Sequence, residues 1–246
     1  MSANPHTYKL LIAALGGEGG GVLADWIIAA AALTGLPVQS TSIPGVAQRT
    51  GATTYYLEIH DEPLAALGGR QLVLALTPTP GDVDVVVASE LLEAGRAMQN
   101  GFITERTTLI ASTSRVYAIG ERTAMADERF DGERILAAAG KLPRQAILFD
   151  AAALGRERDA PLNAVLFGVL IASGALPLDH STAEAAIRRT QKAVDSNLRG
   201  FAVGFEQAIR PELAPSCRQP AWMRPFEEVN VCQFTPYVPP NFRAAR

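Results

Sequence analysis

The chain opens with two apolar runs separated by a turn rich in glycine. The first run, Lys9 to Leu15, has the length of a buried strand, and the second, Val22 to Leu33, has the length of a helix. The turn between them reads Gly16, Gly17, Glu18, Gly19, Gly20, Gly21. A strand, a glycine turn and a helix in this order begin a βαβ unit, whose helix N-terminus offers unpaired N–H donors. The turn therefore indicates either a nucleotide-like ligand or close packing of the helix on the strand.

Further apolar runs predict a succession of strands and helices. Strands are predicted at residues 36–43, 53–59, 84–88, 107–111 and 145–149. Ser89 is placed to cap a helix over residues 90–96, and residues 162–173 are apolar enough for a buried helix. A capping box at 181–184 opens a last helix that ends before Pro211. This pattern predicts an α/β fold, a Rossmann-like open sheet with helices on both faces.

The chain changes character after residue 210. Residues 211–246 contain seven prolines, interleaved with Trp222, Phe226, Phe234, Tyr237 and Phe242. Each proline removes a backbone donor and disfavours regular structure, but the aromatic content is too high for a solvated linker. We therefore predict an α/β domain over residues 1–210 and an extended, proline-rich C-terminal arm over 211–246. The arm is expected to dock on a partner subunit or on this chain's own flank.

The glycine turn does not match the dinucleotide fingerprint. Counted from Gly16, the pattern G-x-G-x-x-G places Glu18 at the second glycine, and counted from Gly17 it ends on Val22. A NAD-binding unit also needs an acid for the ribose after the second strand, where residues 39–42 are Gln, Ser, Thr and Ser. A stand-alone Rossmann-type NAD(P)-binding dehydrogenase is therefore disfavoured and is kept as an alternative. A purely structural assembly subunit is the other alternative, which the aromatic arm would suit.

A second motif follows the predicted second strand, with the sequence Ile-Pro-Gly-Val-Ala-Gln-Arg-Thr-Gly over residues 43–51. Together with the glycine turn, it resembles the gamma domain of 2-oxoacid:ferredoxin oxidoreductases, and within that group the beta subunits of indolepyruvate oxidoreductases. Further matches are residues 84–90 with Glu93 and Arg96, Asn163 with Gly168, and Asn197 with Phe201 and Gly204. The resemblance covers residues 8–210. The chain departs from it at Glu18 and Thr50, where many members carry glycine.

This resemblance implies a subunit that works within a complex. It implies oxidative decarboxylation of an arylpyruvate with coenzyme A to an aryl-acetyl-CoA and carbon dioxide, with the electrons passed to ferredoxin. Thiamine diphosphate, magnesium and the iron–sulfur clusters would lie in a larger partner subunit, and the isolated chain would be inactive. The loop of Gln48, Arg49, Thr50 and Gly51 would face that partner and, with it, the substrate or coenzyme A.

Composition and charge narrow the functional classes. A formal net charge of -3 lacks the basic excess that nucleic-acid binding requires. The N-terminus lacks the pattern of a signal peptide, and charges and glycines interrupt the apolar stretch 10–36, so we expect a cytoplasmic protein that does not enter the membrane. Two cysteines and three scattered histidines suit neither a four-ligand cluster nor a Ser-His-Asp triad. We therefore predict no catalytic residue and no metal ligand in this chain.

Several polar residues have a structural explanation beside a functional one. Arg49 can grip a phosphate or carboxylate, or it can form a salt bridge to an acid at an interface. Glu18 would repel a phosphate in the turn and is better explained as an acid that favours the helix dipole. Glu90 and Glu93 are expected on a solvated helix face with Arg96. Structural hydrogen bonding is the expected role of two asparagines in apolar surroundings, Asn163 and Asn197.

Overall fold

The computed structural model describes residues 5–44, 52–114 and 132–209. Six strands form one sheet: β1 Thr7–Leu15, β2 Val38–Pro44, β3 Ala52–His60, β4 Val85–Ala88, β5 Thr108–Ser112 and β6 Gln145–Phe149. All six predicted strands form, with ends that differ from the prediction by two residues or fewer. The loop Gln48–Gly51 and the arm 211–246 lie outside the described residues.

One strand of the sheet is antiparallel to the other five. The strand order is β2-β3-β1-β4-β5-β6, in which β1, β4, β5 and β6 are parallel. Strand β3 is antiparallel to both of its neighbours, β1 and β2. A hairpin of β2 and β3 thus replaces the parallel second strand that a dinucleotide-binding fold places in this half of the sheet. As a result, β2 ends and β3 begins at the edge of the sheet where β1 ends.

Helices cover both faces of the sheet, as predicted. They are α1 Gly20–Leu33, α2 Leu91–Gln99, α3 Gly132–Ala139, α4 Ala151–Glu157, α5 Leu162–Ala172, α6 His180–Arg189 and α7 Val194–Ile209. On one face α1 and α4 to α7 pack over Leu10 and Ile12, and on the other α2 and α3 pack over Leu11 and Val86. Successive residues of β1 are therefore buried on opposite faces, which explains the uninterrupted apolar run from Leu10 to Leu15. None of the helices described is long and apolar enough to cross a membrane.

Helices α5 and α7 pack backbone against backbone. A Cβ added at Gly168 of α5 would lie 2.0 Å from the carbonyl oxygen of Phe201. A Cβ added at Gly204 of α7 would lie 2.0 Å from the carbonyl oxygen of Val165. Side-chain carbons do not approach carbonyl oxygens this closely, so each helix needs glycine at its point of contact. The two helices can be this close only because both contact faces lack a side chain.

The last predicted helix is in fact two helices, α6 and α7, separated by residues 190–193. There Gln191 and Ala193 have φ of 53° and 47°, a left-handed conformation that interrupts a helix. The predicted capping box is also wrong in its cap residue. The N-cap of α6 is Asp179, whose carboxylate accepts the N–H of Thr182 at 2.8 Å.

Aromatic rings fill the space between α1, α5 and α7. The indole of Trp26 stacks on Phe167 with ring centroids 5.8 Å apart, and the centroid of Phe167 lies 5.4 Å from that of Phe201. The ring of His180 packs on Phe201 at 5.0 Å. Trp26 is fully buried, and its Nε1 has no hydrogen-bond partner among the described residues. Ring stacking and apolar contact therefore hold this layer of helices on the sheet.

Replacing Gly204 by Ala should lower the free energy of unfolding by about 1–3 kcal/mol, because the added methyl group must push α7 away from α5. Thermal unfolding measures the change. Gly140→Ala, just after α3, is the matched control, since a Cβ there meets only ordinary contacts, the nearest at 3.6 Å. Equal melting temperatures of the two variants would contradict the close approach of α5 and α7.

Candidate functional site

The candidate site lies where β1 and β4 end. Strand β1 continues into the glycine turn, which contains the predicted residues Gly16, Gly17, Gly19, Gly20 and Gly21. Strand β4 continues into Ser89 and α2. The chain switches sides at β1, since β2 and β3 lie on one side of it and β4 to β6 on the other. Ligands of open α/β sheets bind at such a switch point, outside the carboxyl ends of the strands.

Two glycines of the turn are required by close packing. Gly19 is the N-cap of α1 in a left-handed conformation, with φ of 77°, and a Cβ there would lie 2.6 Å from Nδ2 of Asn163. A Cβ at Gly20 would lie 2.5 Å from Cβ of Ala14 and 2.9 Å from the ring of Tyr55. These distances agree with the interpretation of the turn as a place of close strand-to-helix packing. Contact with a ligand stays a prediction.

The hydroxyl of Ser89 ties the glycine turn to β4. It accepts the N–H of Leu15 at 3.0 Å and donates to the carboxylate of Glu18. The N–H of Glu18 donates to the carbonyl of Leu15 at 3.1 Å, which closes the turn. The prediction that Ser89 caps α2 is therefore wrong: Glu90 occupies the N-cap position of that helix. Glu18 is held by β4, a contact that its interpretation as an acid facing the helix dipole did not include.

The acids of α2 are buried, which corrects the prediction of a solvated face. Glu90 is 1% exposed and Glu93 is 4% exposed. The predicted partner of Glu93 is confirmed, since the guanidinium of Arg96 contacts its carboxylate at 2.7 Å. The residue spacing along the helix predicted that Glu93 pairs with Arg96 but not that Glu93 is buried. The acids are buried because α2 begins directly at the sheet edge and packs against β1 and β4.

Two of the carboxyl groups at this edge of the sheet, those of Glu18 and Glu93, have shifted pKa values. Burial raises the pKa of the Glu18 carboxyl, and the hydrogen bond from Ser89 opposes that rise. Burial also raises the pKa of Glu93, which the charge of Arg96 lowers and the charge of Glu18 raises further. A negative ligand beside Glu18 would be repelled whenever that carboxyl is ionised. The acid in the turn therefore sets this site apart from an ordinary phosphate-binding glycine loop.

The two asparagines have the structural role expected of them. Nδ2 of Asn163 donates to the carbonyl of Gly19 at 3.3 Å, and Nδ2 of Asn197 donates to the carbonyl of Lys192 at 3.0 Å. Both side chains are buried. Asn163 alone of the two reaches the candidate site, because α5 begins beside the glycine turn.

Tyr55 is a residue of this site that the sequence analysis did not single out. Its hydroxyl would lie 3.2 Å from a Cβ added at Gly21, so the phenol covers the first turn of α1. The alternation of β3 was the available signal, because it places Tyr55 and Leu57 on the same face of the sheet. Tyr55 is in register with Ile12 of β1, which directs its ring toward α1.

The predicted loop Gln48–Gly51 belongs to the connection between β2 and β3. Pro44, the last residue of β2, is in register with Thr53, and Ala52 is in register with Leu15. Both anchors of the connection thus lie at the edge occupied by the glycine turn. The residues of the loop themselves are outside the described ranges, so their role as a substrate-facing or coenzyme A-facing loop stays a prediction.

Comparison with known sequences gives a consistent result. A family model described as pyruvate ferredoxin/flavodoxin oxidoreductase matches residues 9–207. An indolepyruvate oxidoreductase subunit IorB from Archaeoglobus fulgidus is 27% identical over 209 residues, which are 82% of this chain and 95% of that protein. A subunit of the same name from Pyrococcus horikoshii is 24% identical over 206 residues, 82% of this chain and 96% of the other.

Solved structures show the same fold. The pyruvate oxidoreductase subunit PORC of Thermotoga maritima superposes with a TM-score of 0.54 at 20% identity, covering 81% of this chain and 96% of that chain. The gamma subunit of a keto/oxoacid ferredoxin oxidoreductase from Geobacter sulfurreducens gives 0.53 at 17% identity, with 81% and 97% covered. The 2-oxoglutarate:ferredoxin oxidoreductase of Magnetococcus marinus gives 0.53 at 15%, with 81% of this chain but 30% of that chain covered.

Glu18→Gln should raise the melting temperature at pH 8, because it removes a half-buried charge and keeps an oxygen that accepts from Ser89. The raised pKa means that wild-type Glu18 gains a proton, and with it stability, as the pH falls. The difference in melting temperature between variant and wild type should therefore shrink as the pH falls from 8 through the raised pKa of Glu18 toward 4.5, the ordinary value for this carboxyl. Melting curves across this range measure it, with Glu105→Gln, at an exposed position, as the control. A difference that grows as the pH falls would contradict the assignment.

Proposed function

Because the chain belongs to the pyruvate ferredoxin/flavodoxin oxidoreductase family, we propose that it is the non-cofactor subunit of an indolepyruvate-type 2-oxoacid oxidoreductase. The observation that carries the proposal is the alignment with two indolepyruvate oxidoreductase subunits along nearly their whole length. The resemblance inferred from the motifs is confirmed at the level of the family. The arylpyruvate substrate rests on the names of these two relatives.

The proposed complex oxidatively decarboxylates an arylpyruvate with coenzyme A. The products are an aryl-acetyl-CoA and carbon dioxide, and the electrons released pass to ferredoxin. Such a reaction needs an electron sink to stabilise the acyl carbanion and a redox centre to carry the electrons away. The family resemblance assigns these tasks to thiamine diphosphate, with its Mg²⁺, and to iron–sulfur clusters.

Neither the described residues nor the cysteine content of the sequence fits those groups. Within the described ranges, no set of three or more His, Cys, Asp or Glu side chains could hold a metal ion. The whole sequence contains two cysteines, too few for a four-thiolate cluster. We therefore assign thiamine diphosphate, Mg²⁺ and the clusters to a larger partner subunit, and we expect the isolated chain to be inactive.

The part that this chain plays is to complete the site at the sheet edge. The glycine turn and the connection between β2 and β3 begin from the same edge of the sheet. In the assembled complex Arg49 and its neighbours Gln48, Thr50 and Gly51 would face the substrate or coenzyme A. The first N–H groups of α1 have no acceptor within the helix, and in the proposed complex they would bind a ligand at this edge. The arm 211–246 would dock on the partner, because its aromatics suit an interface.

The dehydrogenase alternative fits this topology less well. In a dinucleotide-binding fold the parallel second strand carries the ribose-binding acid near the glycine turn. Here the neighbour of β1 is the antiparallel strand β3, which begins at this edge with Ala52, Thr53 and Thr54. The arrangement supplies no acid from β3 at that place.

Two measurements test the proposed division of labour. A tagged copy of the chain should copurify with a larger subunit that carries thiamine diphosphate and iron–sulfur clusters, identified by mass spectrometry. The chain expressed alone should show no stoichiometric iron–sulfur absorption in its visible spectrum, because it lacks the ligands. Iron–sulfur absorption from the isolated chain would overturn the assignment to a partner. Micromolar binding of NADH or NADPH in calorimetry would favour the dehydrogenase instead.

Arg49→Ala should raise the Michaelis constant for the oxoacid or for coenzyme A by roughly tenfold or more. The reason is that a charge-assisted hydrogen bond contributes about 1.5–3 kcal/mol. Arg49→Lys should restore binding only in part, since it keeps the charge and loses the planar fork. Steady-state kinetics of the purified complex measure both.

Arg70→Ala is the matched control, because Arg70 pairs with Glu62 at 2.6 Å beyond the other end of β3. It should leave both Michaelis constants unchanged. An interface salt bridge at Arg49 would instead weaken assembly and leave the constants of the surviving complex unchanged. An Arg49→Ala complex with wild-type assembly and constants would remove this residue from the site.

A further inference from the structure

Asn163 links a helix on one face of the sheet to the backbone of the glycine turn. It is the second residue of α5, it is 6% exposed, and its Nδ2 donates to the carbonyl of Gly19 at 3.3 Å. The approach is possible only because residue 19 has no Cβ, which would lie 2.6 Å from that nitrogen. The contact therefore depends on both residues, an amide at 163 and glycine at 19.

The carbonyl that Asn163 binds also starts helix α1. It accepts the N–H of Leu23 at 3.0 Å, the first hydrogen bond of that helix. A planar trans peptide unit fixes the N–H of the next residue antiparallel to the carbonyl. Holding the Gly19 carbonyl therefore also sets the direction of the Gly20 N–H, which points away from the helix.

Asn163 is itself held rigidly in place. The contact of Gly168 with the Phe201 carbonyl and that of Gly204 with the Val165 carbonyl join α5 to α7 without intervening side chains. Close backbone packing of this kind leaves α5 little room to move relative to α7. The amide at its start therefore imposes one position on the turn.

We propose that Asn163 is a positioning residue, which fixes the Gly19–Gly20 peptide unit and so the direction in which the turn presents its N–H groups to the composite active site. The inference rests on the proposed function, which places the turn at that site. Asn163 touches no substrate in this arrangement and acts through the backbone of the turn alone.

The test compares two asparagines in the purified complex. Asn197 is the matched control: it is also buried, and its amide also donates to one backbone carbonyl, that of Lys192, at the start of another helix. Asn163→Ala and Asn163→Asp should raise the Michaelis constant for coenzyme A about three- to tenfold, the range expected from the loss of one neutral hydrogen bond. The rise in the Michaelis constant should be larger for Asn163→Asp, since its carboxylate faces the Gly19 carbonyl oxygen and repels it. The turnover number of the Asn163 variants should change less than twofold. The same changes at Asn197 should lower the melting temperature and leave the Michaelis constant for coenzyme A unchanged.

Hydrogen exchange gives a readout that does not need activity. Peptides covering residues 16–23 should exchange faster in the Asn163 variants and at the wild-type rate in the Asn197 variants. Two results would overturn the positioning role. One is unchanged hydrogen exchange of residues 16–23 in the Asn163 variants. The other is faster exchange in an active complex whose Michaelis constant for coenzyme A is that of the wild type. A wild-type complex without coenzyme A-dependent oxidation of indolepyruvate would instead overturn the proposed function, and the role of Asn163 within it, whatever the exchange shows.

Discussion

Helices α5 and α7 meet through their backbones, and the geometry of the sheet edge depends on that contact. Gly168 and Gly204 each leave room for a carbonyl oxygen of the opposite helix, so a larger residue at either position would drive the helices apart. Asn163, at the start of α5, donates a hydrogen bond to the carbonyl of Gly19, the N-cap residue of α1. A displacement of α7 would therefore reach the glycine turn through a chain of contacts in which no long side chain can take up the change.

The sequence predicted the layers of the fold better than the direction of its strands. Apolar periodicity identified all six strands because it reports burial, but it is the same in a parallel and an antiparallel strand. A signal for the antiparallel strand β3 was present, since residues 45–51 are too few for a parallel crossover. The break between α6 and α7 had no such signal, because Gln191 and Ala193 are not residues that usually interrupt a helix. Short helices such as α4 also give too little periodicity to predict.

The sequence predicted the place of the glycine turn in the fold, whereas its role as a ligand site stays a prediction. The glycine pattern placed the turn correctly, because glycine is needed where a backbone packs closely against other atoms. The acids of α2 were misjudged, since spacing along a helix reveals which residues pair but not which face is buried. Glu93 pairs with Arg96 as predicted and is nevertheless inside the protein. Ser89 was wrongly predicted to cap α2, because a serine before a helix can bond to a neighbouring strand as readily as to its own helix.

The two tryptophans of the chain lie in contrasting surroundings along the sequence. Trp26 is fully buried against Phe167, and within the described residues its indole N–H has no hydrogen-bond partner. An indole in such apolar surroundings emits at short wavelength and is shielded from soluble quenchers. Trp222 belongs to the arm that we propose docks on another subunit. If the arm docks as proposed, a change in the emission of Trp222 would report assembly without any attached label, and the buried Trp26 would serve as an internal comparison in the same spectrum.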